Sequence, residues 1–353
     1  MPEVNVKAAN QFQSEMLLGV SRTFALTIPQ LPEQLHYVIG NAYLLCRTVD
    51  TIEDEPALTN SQRTLLCNQF IEVVNGTRSA ESLSVELLPL LSDSTIPAEH
   101  QLIRELPRVI AITHSFPEPQ YKALQTCVQT MAHGMPLFQE TEIKHGLPTL
   151  HDFDKYCYYV AGCVGEMLTQ LFCDYSTEIN QHRNELHALS VSFGQGLQMT
   201  NILKDIWDDR KRNVCWLPRD VFQQCGYDLT LLDADNNTQA FQNGLAYLVS
   251  NAYQHLDNAL QYTLLIPSHE KGIRKFCLWA IGMALLTLQK IHQHPDYTDS
   301  QQVKISRRQV KTTVALTNMA VGNNTLLKFL FQTAGRGLDK PIWEFTDTYN
   351  ESG

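Results

Sequence analysis

The sequence lacks the features that mark several large classes of protein. Its longest uncharged and mostly apolar stretch, Phe276 to Leu288, spans 13 residues, whereas a membrane-spanning helix needs about 20. None of the nine cysteines forms a CxxC pair and their total is odd, which favours reduced thiols in the cytoplasm over a disulfide framework. The first residues show no basic-then-apolar signal pattern. We therefore expect a cytoplasmic protein without a transmembrane anchor.

Basic residues are also scarce. Lys and Arg total 27 against 37 Asp and Glu, which gives a formal net charge of −10. Nucleic-acid binding needs a basic face that replaces counterions, so we expect no nucleic-acid partner. The sequence contains no GxGxxG fingerprint, P-loop, HExxH or GxSxG motif, so nothing indicates a Rossmann fold, a zinc protease or a serine hydrolase.

The alternation of apolar and polar residues that predicts strands is nearly absent. From Pro32 to Pro56 the apolar residues recur with a 3.6-residue period, and similar spacing continues over residues 156–172 and from about Ser190. The pattern predicts an all-α protein. Its length alone would suit two domains, but linker-like sequence is scarce, and the segment Ser79 to Pro97 reads as a surface connection. We predict one domain, residues 1–353.

Two segments repeat one spacing of carboxylates. In DTIED (residues 50–54) and DIWDD (residues 205–209), three acidic side chains stand at positions i, i+3 and i+4. On a helix this spacing places them on one face, where like charges repel. The six residues are Asp50, Glu53, Asp54, Asp205, Asp208 and Asp209.

Such turns favour Mg²⁺, a hard cation that is commonly held by one or two carboxylates, water and substrate phosphates. Arg47 precedes the first turn, and Lys204 precedes the second. Carboxylates and cations together fit a diphosphate that leaves with metal assistance. One acidic turn alone is more often a solvated helix face, but two matched turns in apolar helices favour a metal site. They lack the glycine and alternating oxygen ligands of an EF-hand.

Four segments carry a family resemblance. SRTF (21–24), YLLCRTVDTIED (43–54), YCYYVAGCVGE (156–166) and LQMTNILKDIWDD (197–209) resemble the squalene/phytoene synthase family, in the family's order. The resemblance extends over about residues 15 to 330. It implies an all-α prenyl-synthase fold around a central cavity, and head-to-head joining of two prenyl diphosphates with Mg²⁺.

The resemblance also implies roles for individual residues. The six carboxylates would serve the metal sites, with Glu53 and Asp208 in support. Substrate contacts would come from Arg22, Tyr43, Arg47, Gln198, Asn201 and Lys204. Tyr156 would act in the first half-reaction, and Phe276 would line the cavity in the second; ordinary core packing stays an alternative for both. Arg47 and Tyr43 complete the catalytic set.

The C-terminal half resembles the squalene-forming members of the family. Their basic stretch, here VKISRRQV (303–310), borders the NADPH site and implies cofactor contacts from Asn201, Lys304 and Arg307, although Ser306 replaces a usual basic residue.

We predict that two farnesyl diphosphates are joined through presqualene diphosphate and that NADPH reduces the product. VGEMLT and DDRKRNVCWLPRD resemble segments of bacterial phytoene-type enzymes, so a dehydrosqualene or phytoene synthase stays open. A non-catalytic helical binding protein is the rival from another class. An oily product would allow peripheral membrane contact.

Overall fold

The computed structural model of the chain describes residues 6–21, 23–139 and 143–338, with side chains from residue 8 onward. Over these ranges it contains helices and no strand; Leu147 and Pro218 form one isolated bridge. The all-α prediction is confirmed. The helices up to residue 139 are α1 (Val6–Val20), α2 (Phe24–Thr27), α3 (Glu33–Asp54), α4 (Asn60–Val74), α5 (Ala80–Leu87), α6 (Pro97–Arg104), α7 (Leu106–Thr113), α8 (Glu118–Gly134) and α9 (Pro136–Gln139).

The second half holds the longest helices. They are α10 (Leu150–Cys157), α11 (Cys163–Tyr175), α12 (Thr177–Asn180), α13 (Arg183–Lys211), α14 (Arg219–Gln224), α15 (Gln239–Leu265), α16 (Lys271–Gln293), α17 (Ser300–Val303), α18 (Arg307–Ala320) and α19 (Asn324–Ala334). Short 3-10 turns occupy Ile28–Gln30, Leu88–Leu90, Ile143–His145, Leu229–Leu231 and Ala234–Asn236. Helix α13 packs against α11, α15 and α16, so it lies at the centre of this half.

Helix α3 follows its sequence pattern closely. Pro32 is its N-cap, and the helix ends at Asp54, two residues before Pro56, whose ring cannot continue a helix. The apolar stripe is buried, with Val38 and Val49 fully inaccessible to solvent. The opposite stripe is only half-buried, which leaves its polar side chains available at the surface of the site described below.

Helix α13 is longer than its pattern predicts. We expected a start near Ser190, but the helix begins at Arg183. Of its first seven residues only Leu186 is buried, so this polar segment shows almost no apolar periodicity. The apolar pattern therefore does not show where α13 begins.

The segment 156–172 is not one regular helix. A π-helical turn, Tyr158–Gly162, separates α10 from α11. Beside it α13 comes unusually close: a Cβ atom built on Gly194 would lie 1.9 Å from the carbonyl oxygen of Ala161. Gly194 is thus required by the approach of a neighbouring backbone. Such π turns cost backbone regularity and are frequent at functional sites.

The segment Ser79 to Pro97 was predicted wrongly as a surface connection. Residues Ala80–Leu87 form α5, and the Ser79 side chain caps it by accepting a hydrogen bond from the backbone NH of Ser82. Leu83 and Leu87 of this helix are fully buried. The run of Ser, Glu and Pro residues obscured an amphipathic stripe of only two turns.

One hydrophobic cluster extends from Ala9 to Leu338, and on this basis we propose that the chain folds as one domain. The apolar segment Phe276 to Leu288 lies in α16, where ten of its thirteen side chains are buried, so it is a core helix as predicted. Within the described part of the chain, no helix combines the length and apolar character required to cross a membrane.

Replacing Gly194 with alanine should destabilise the protein by at least about 2 kcal/mol, because the new methyl group overlaps the Ala161 carbonyl and α13 must move away. Urea denaturation measures the change. Gly322→Ala is the matched control: nothing lies within 4 Å of the added Cβ, so its effect should stay within about 0.5 kcal/mol. Equal stability of the two variants would contradict this packing argument.

Candidate active site

The two acidic turns, at the C-terminal ends of α3 and α13, face each other. Arg212, the residue after α13, reaches both of them: its guanidinium lies 3.5 Å from the Asp54 carboxylate and 2.5 Å from that of Asp209. Two turns far apart in sequence therefore meet across a single cation. In the sequence Arg212 is one of several basic residues that follow the second turn, and nothing there shows that it spans both turns.

The first turn holds carboxyl groups that resist ionisation. Burial, reinforced by the nearby charge of Asp54, raises the pKa of Asp50 to about 7 and that of Glu53 to about 8. Glu53 accepts a hydrogen bond from the Gln139 side chain. Arg63 donates to the backbone carbonyl oxygens of Glu53 and Glu55, which otherwise lack helical partners where α3 ends.

Arg47 is held in place by two carboxylates. Its guanidinium lies 3.6 Å from Asp50 one turn later on α3 and donates a hydrogen bond to Glu99 of α6. Glu99 is only 6% exposed, so Arg47 is its charge partner in the interior. A lone glutamate in a short helix carries no motif, so Glu99 could not be predicted from the sequence. We infer that Glu99 positions Arg47.

The second turn has a comparable but less buried arrangement. Lys204 lies 3.0 Å from Asp205, and burial raises the pKa of Asp205 and raises that of Asp209 to about 6. Asp208 differs, since hydrogen bonds from Ser300 and Lys211 lower its pKa. Asp208 therefore has protein partners already, which suits a supporting residue better than a direct metal ligand.

The segment that follows α16 is tied to the second turn. The Tyr297 hydroxyl donates to the Leu203 carbonyl, and the Trp207 indole NH donates to the Tyr297 carbonyl at 2.7 Å. Ser300 then donates to Asp208. These bonds explain why the basic stretch that begins at Lys304 lies one short helix away from the acidic turn.

Within the basic stretch, Lys304 and Arg307 are both exposed. The Lys290 ammonium of α16 donates a hydrogen bond to the Lys304 carbonyl, so it adds a cation that no motif in the sequence indicates. Ser306 is the N-cap of α18 and forms a capping box with Gln309. The departure from the family's basic residue at this position is therefore explained by the start of a helix.

Tyr156 lies against the first acidic turn. Burial and the charges of Glu53 and Asp54 raise its pKa well above 10, so its phenol keeps its proton at neutral pH. Its ring stacks on Trp216, with 3.8 Å between ring centroids and 9° between planes. Trp216 stands in a loop without a recognisable pattern, and this stacking was not predicted.

A row of aromatic rings leads away from the first turn. Tyr43, one turn before Arg47 on α3, lies 5.2 Å from Phe24, and Phe24 lies 6.4 Å from Phe276. Phe172 of α11 packs edge-on against Phe276 at 6.4 Å. Phe276 is 3% exposed, so it packs in the core and also belongs to the aromatic row. Core packing of Phe276 is confirmed, and its role in the second half-reaction stays a prediction.

The remaining predicted substrate residues lie on α13 or outside the described chain. Gln198 is half-buried and Asn201 is exposed, and both share the helix face of Asp205. Arg22 lies outside the described residues.

The residues present fit Mg²⁺ on the chemistry of their donors. Oxygen ligands on two facing turns, several with pKa values raised by burial and mutual repulsion, would gain from divalent cations. In the described ranges no three His, Cys, Asp or Glu side chains stand in a ready metal-coordinating arrangement. Carboxylate oxygens suit Mg²⁺, which commonly keeps water ligands and takes phosphate oxygens.

The all-α fold that brings these two acidic turns together beside an aromatic row is the isoprenoid-synthase helical fold, and solved structures show the same fold. A structure of TcSQS with the ligand E5700 matches with a TM-score of 0.73 and 19% identity over 94% of this chain and 98% of that chain. A dehydrosqualene synthase with a bound ligand matches with a TM-score of 0.63 and 17% identity over 92% of this chain and 97% of that chain.

The chain belongs to the squalene/phytoene synthase family, whose model matches residues 17–309. The squalene synthase of Cyberlindnera jadinii is 31% identical over 86% of this chain and 65% of its own length. Squalene synthase ERG9 of Saccharomyces cerevisiae is 28% identical over 78% of this chain and 60% of its own length. This chain thus spans less than two thirds of these relatives. The family resemblance is confirmed.

Replacing Asp50 with asparagine should stabilise the metal-free protein at pH 8. Because the pKa of Asp50 is raised from 3.8 to about 7, the folded state keeps a proton that the unfolded chain releases above about pH 4. The resulting loss of stability grows as the pH rises from about 4 to about 7. The substitution should therefore gain little at pH 4 and about 4 kcal/mol at pH 8.

Urea denaturation at both pH values measures this difference. Arg47 keeps Glu99 as a partner in the variant, so no cation is left unpaired. Asp93→Asn, at an exposed aspartate, removes the same charge as a control and should change stability little. An Asp50→Asn protein no more stable than the wild type at pH 8 would show that this carboxylate is not under electrostatic strain.

Proposed function

We propose that this chain is a squalene synthase. In this proposal two farnesyl diphosphates are joined head to head to presqualene diphosphate, which is then rearranged and reduced with NADPH to squalene. The observation that carries it is the meeting of two acidic turns across Arg212, beside a buried tyrosine and a row of aromatic rings. Relatives bearing the name squalene synthase support it.

The proposed metal ligands are Asp50 and Asp54 on the first turn and Asp205 and Asp209 on the second. Glu53, which accepts a hydrogen bond from Gln139, and Asp208, which is bonded to Ser300, would support them. Bound Mg²⁺ would supply positive charge to the diphosphate leaving group. The two turns would each receive one diphosphate, which accounts for the repeated spacing.

Cationic side chains would complete the diphosphate sites. Arg47, oriented by Glu99, and Lys204, beside Asp205, would contact phosphate oxygens. Arg212 lies between the turns and would neutralise charge on either of them. Fixed cations of this kind stabilise the charge that develops as the carbon–oxygen bond breaks, and they need no reorganisation during the step.

The aromatic groups would shelter the allylic carbocation that remains. Tyr156 is held rigidly by stacking on Trp216, and its phenol oxygen retains its proton. Its ring would stabilise a cation through its π face, and its hydroxyl would donate a hydrogen bond to a departing anion. Tyr43, Phe24 and Phe276 continue the apolar surface away from the charges, where water must be excluded for the cation to survive.

We place the NADPH site beside the second acidic turn, with Asn201, Lys304 and Arg307 as its contacts. Ser300 and Tyr297 tie this segment to α13, which supports a position close to the second diphosphate. Lys290 joins the proposed set because it bonds to the Lys304 backbone. NADPH would supply the hydride that ends the second half-reaction.

All nine cysteines are free thiols, which supports the cytoplasm as the proposed location.

A dehydrosqualene synthase is the second candidate, favoured by the fold similarity reported above. The two proposals differ only in the reductive step.

The non-catalytic interpretation required the acidic turns to be a solvated face. Glu53 and Asp209 are instead 3% and 7% exposed, and a solvated interaction face has no reason to bury carboxylates.

Incubating the purified protein with farnesyl diphosphate and Mg²⁺, with and without NADPH, tests the proposal. We expect squalene only when NADPH is present, because the rearranged cation then receives a hydride. Product identity by mass spectrometry is the measurement. Formation of dehydrosqualene or phytoene regardless of NADPH would establish the second candidate instead. Absence of any condensed product would reject both.

Asp205→Asn and Asp208→Asn should separate a metal ligand from a supporting residue. Losing the Asp205 carboxylate should lower kcat at least about 100-fold, which is the loss typical of removing one group that stabilises the transition state. Losing the Asp208 charge should cost less than about tenfold, since an asparagine can still accept from Ser300. Steady-state rates over a range of Mg²⁺ concentrations are the measurement. Equal losses would place both residues in the same role.

A further inference from the structure

The charge of the C-terminal helices is opposite to that of the rest of the chain. Residues 300–338 contain six Lys or Arg residues and no Asp or Glu, whereas the whole chain has a formal net charge of −10. All six side chains are exposed. They are Lys304, Arg307, Arg308, Lys311, Lys328 and Arg336.

The same helices expose large apolar side chains. Met319 is 81% exposed and Phe329 is 62% exposed, and Leu316 and Leu326 are 43% and 39% exposed. Eleven large apolar side chains are exposed in the described ranges, and these four fall within 14 consecutive residues. Exposed apolar residues scattered singly need no explanation, but a cluster of them marks an interaction surface.

Helices α18 and α19 form a layer over α16. Both pack against α16 and against each other, and together the three helices line an apolar groove of about 300 Å³ that includes Leu285, Leu316 and Leu330. Of the fourteen residues of α18, only Ala320 is buried. Because α18 and α19 also pack against each other, their exposed side chains belong to adjoining parts of the surface.

Basic and apolar side chains are exposed together on these two helices. Arg308, Lys311 and Met319 follow one stripe of α18, at positions i, i+3 and i+11, and Lys328 and Phe329 are neighbours on α19. A helix surface with Lys and Arg around exposed Met, Phe and Leu residues suits the interface of a bilayer, where apolar groups enter the acyl boundary and cations meet anionic headgroups.

We propose that the α18–α19 surface, defined by Arg308, Lys311, Leu316, Met319, Leu326, Lys328 and Phe329, docks on a bilayer that contains anionic phospholipids. Two copies of the chain would bring like charges together on this surface, which disfavours self-association. A polynucleotide would satisfy the cations but would leave the apolar side chains without a partner. The proposal goes beyond the proposed function and does not depend on any activity.

Vesicle sedimentation with the full chain tests the proposal. Vesicles of phosphatidylcholine containing phosphatidylglycerol should pellet the protein, and phosphatidylcholine alone should bind it about tenfold or more weakly. Raising the salt concentration should weaken binding, since it screens the headgroup charge. Met319→Ser/Phe329→Ser and Lys311→Glu/Lys328→Glu should each lower the affinity about tenfold or more. Lys304 and Arg307 stay unchanged, so the proposed NADPH contacts are not disturbed.

The matched control is Leu18→Ser/Val85→Ser, which removes two side chains that are 74% and 72% exposed on other helices. It should bind vesicles as the wild type does. Circular dichroism and the mid-point of thermal unfolding show that each variant is folded. Failure of the wild type to bind, equal losses in the control, or a wild-type dimer that Met319→Ser/Phe329→Ser dissociates would overturn the proposal. Loss of squalene formation with vesicle binding intact would affect only the proposed function.

Discussion

The repulsion among carboxylates at the ends of α3 and α13 is the constraint on which the rest of the structure depends. Five of these carboxylates lie close together with Arg47, Lys204 and Arg212 as the nearby cations, and burial raises the pKa values of four of them. A protein interior tolerates such a cluster only when surrounding elements hold it in place. Here Glu99, Gln139, Arg63 and the segment 297–300 provide that restraint.

The repulsion among these carboxylates also makes the site suitable for the proposed chemistry. Carboxylates that repel one another are stabilised when they bind divalent cations. Cationic side chains that are already oriented bind a diphosphate without further rearrangement. The neighbouring aromatic row, from Tyr43 to Phe172, provides an apolar environment within one helical turn of those charges. Charge separation at one end and shelter from water at the other are the two requirements of a carbocation reaction.

The periodic segments could be predicted well, and the irregular ones could not. Helix α3 starts and ends where Pro32 and Pro56 indicate, and Phe276 to Leu288 is a core helix. Helix α5 was missed because two buried leucines in a short polar segment give too weak a signal. The π turn at Tyr158–Gly162 has the same composition as an α-helix, so only the approach of α13 distinguishes it.

The sequence by itself determined the all-α class, the spacing of carboxylates within each acidic turn and the family, because each can be read from short segments taken in their order along the chain. Only the tertiary structure decided that the turns share Arg212, that Glu99 holds Arg47 and that Tyr156 stacks on Trp216. These contacts join helices and loops far apart in the chain. The packing of whole helices determines which residues meet, and the local periodicity of the sequence does not show it.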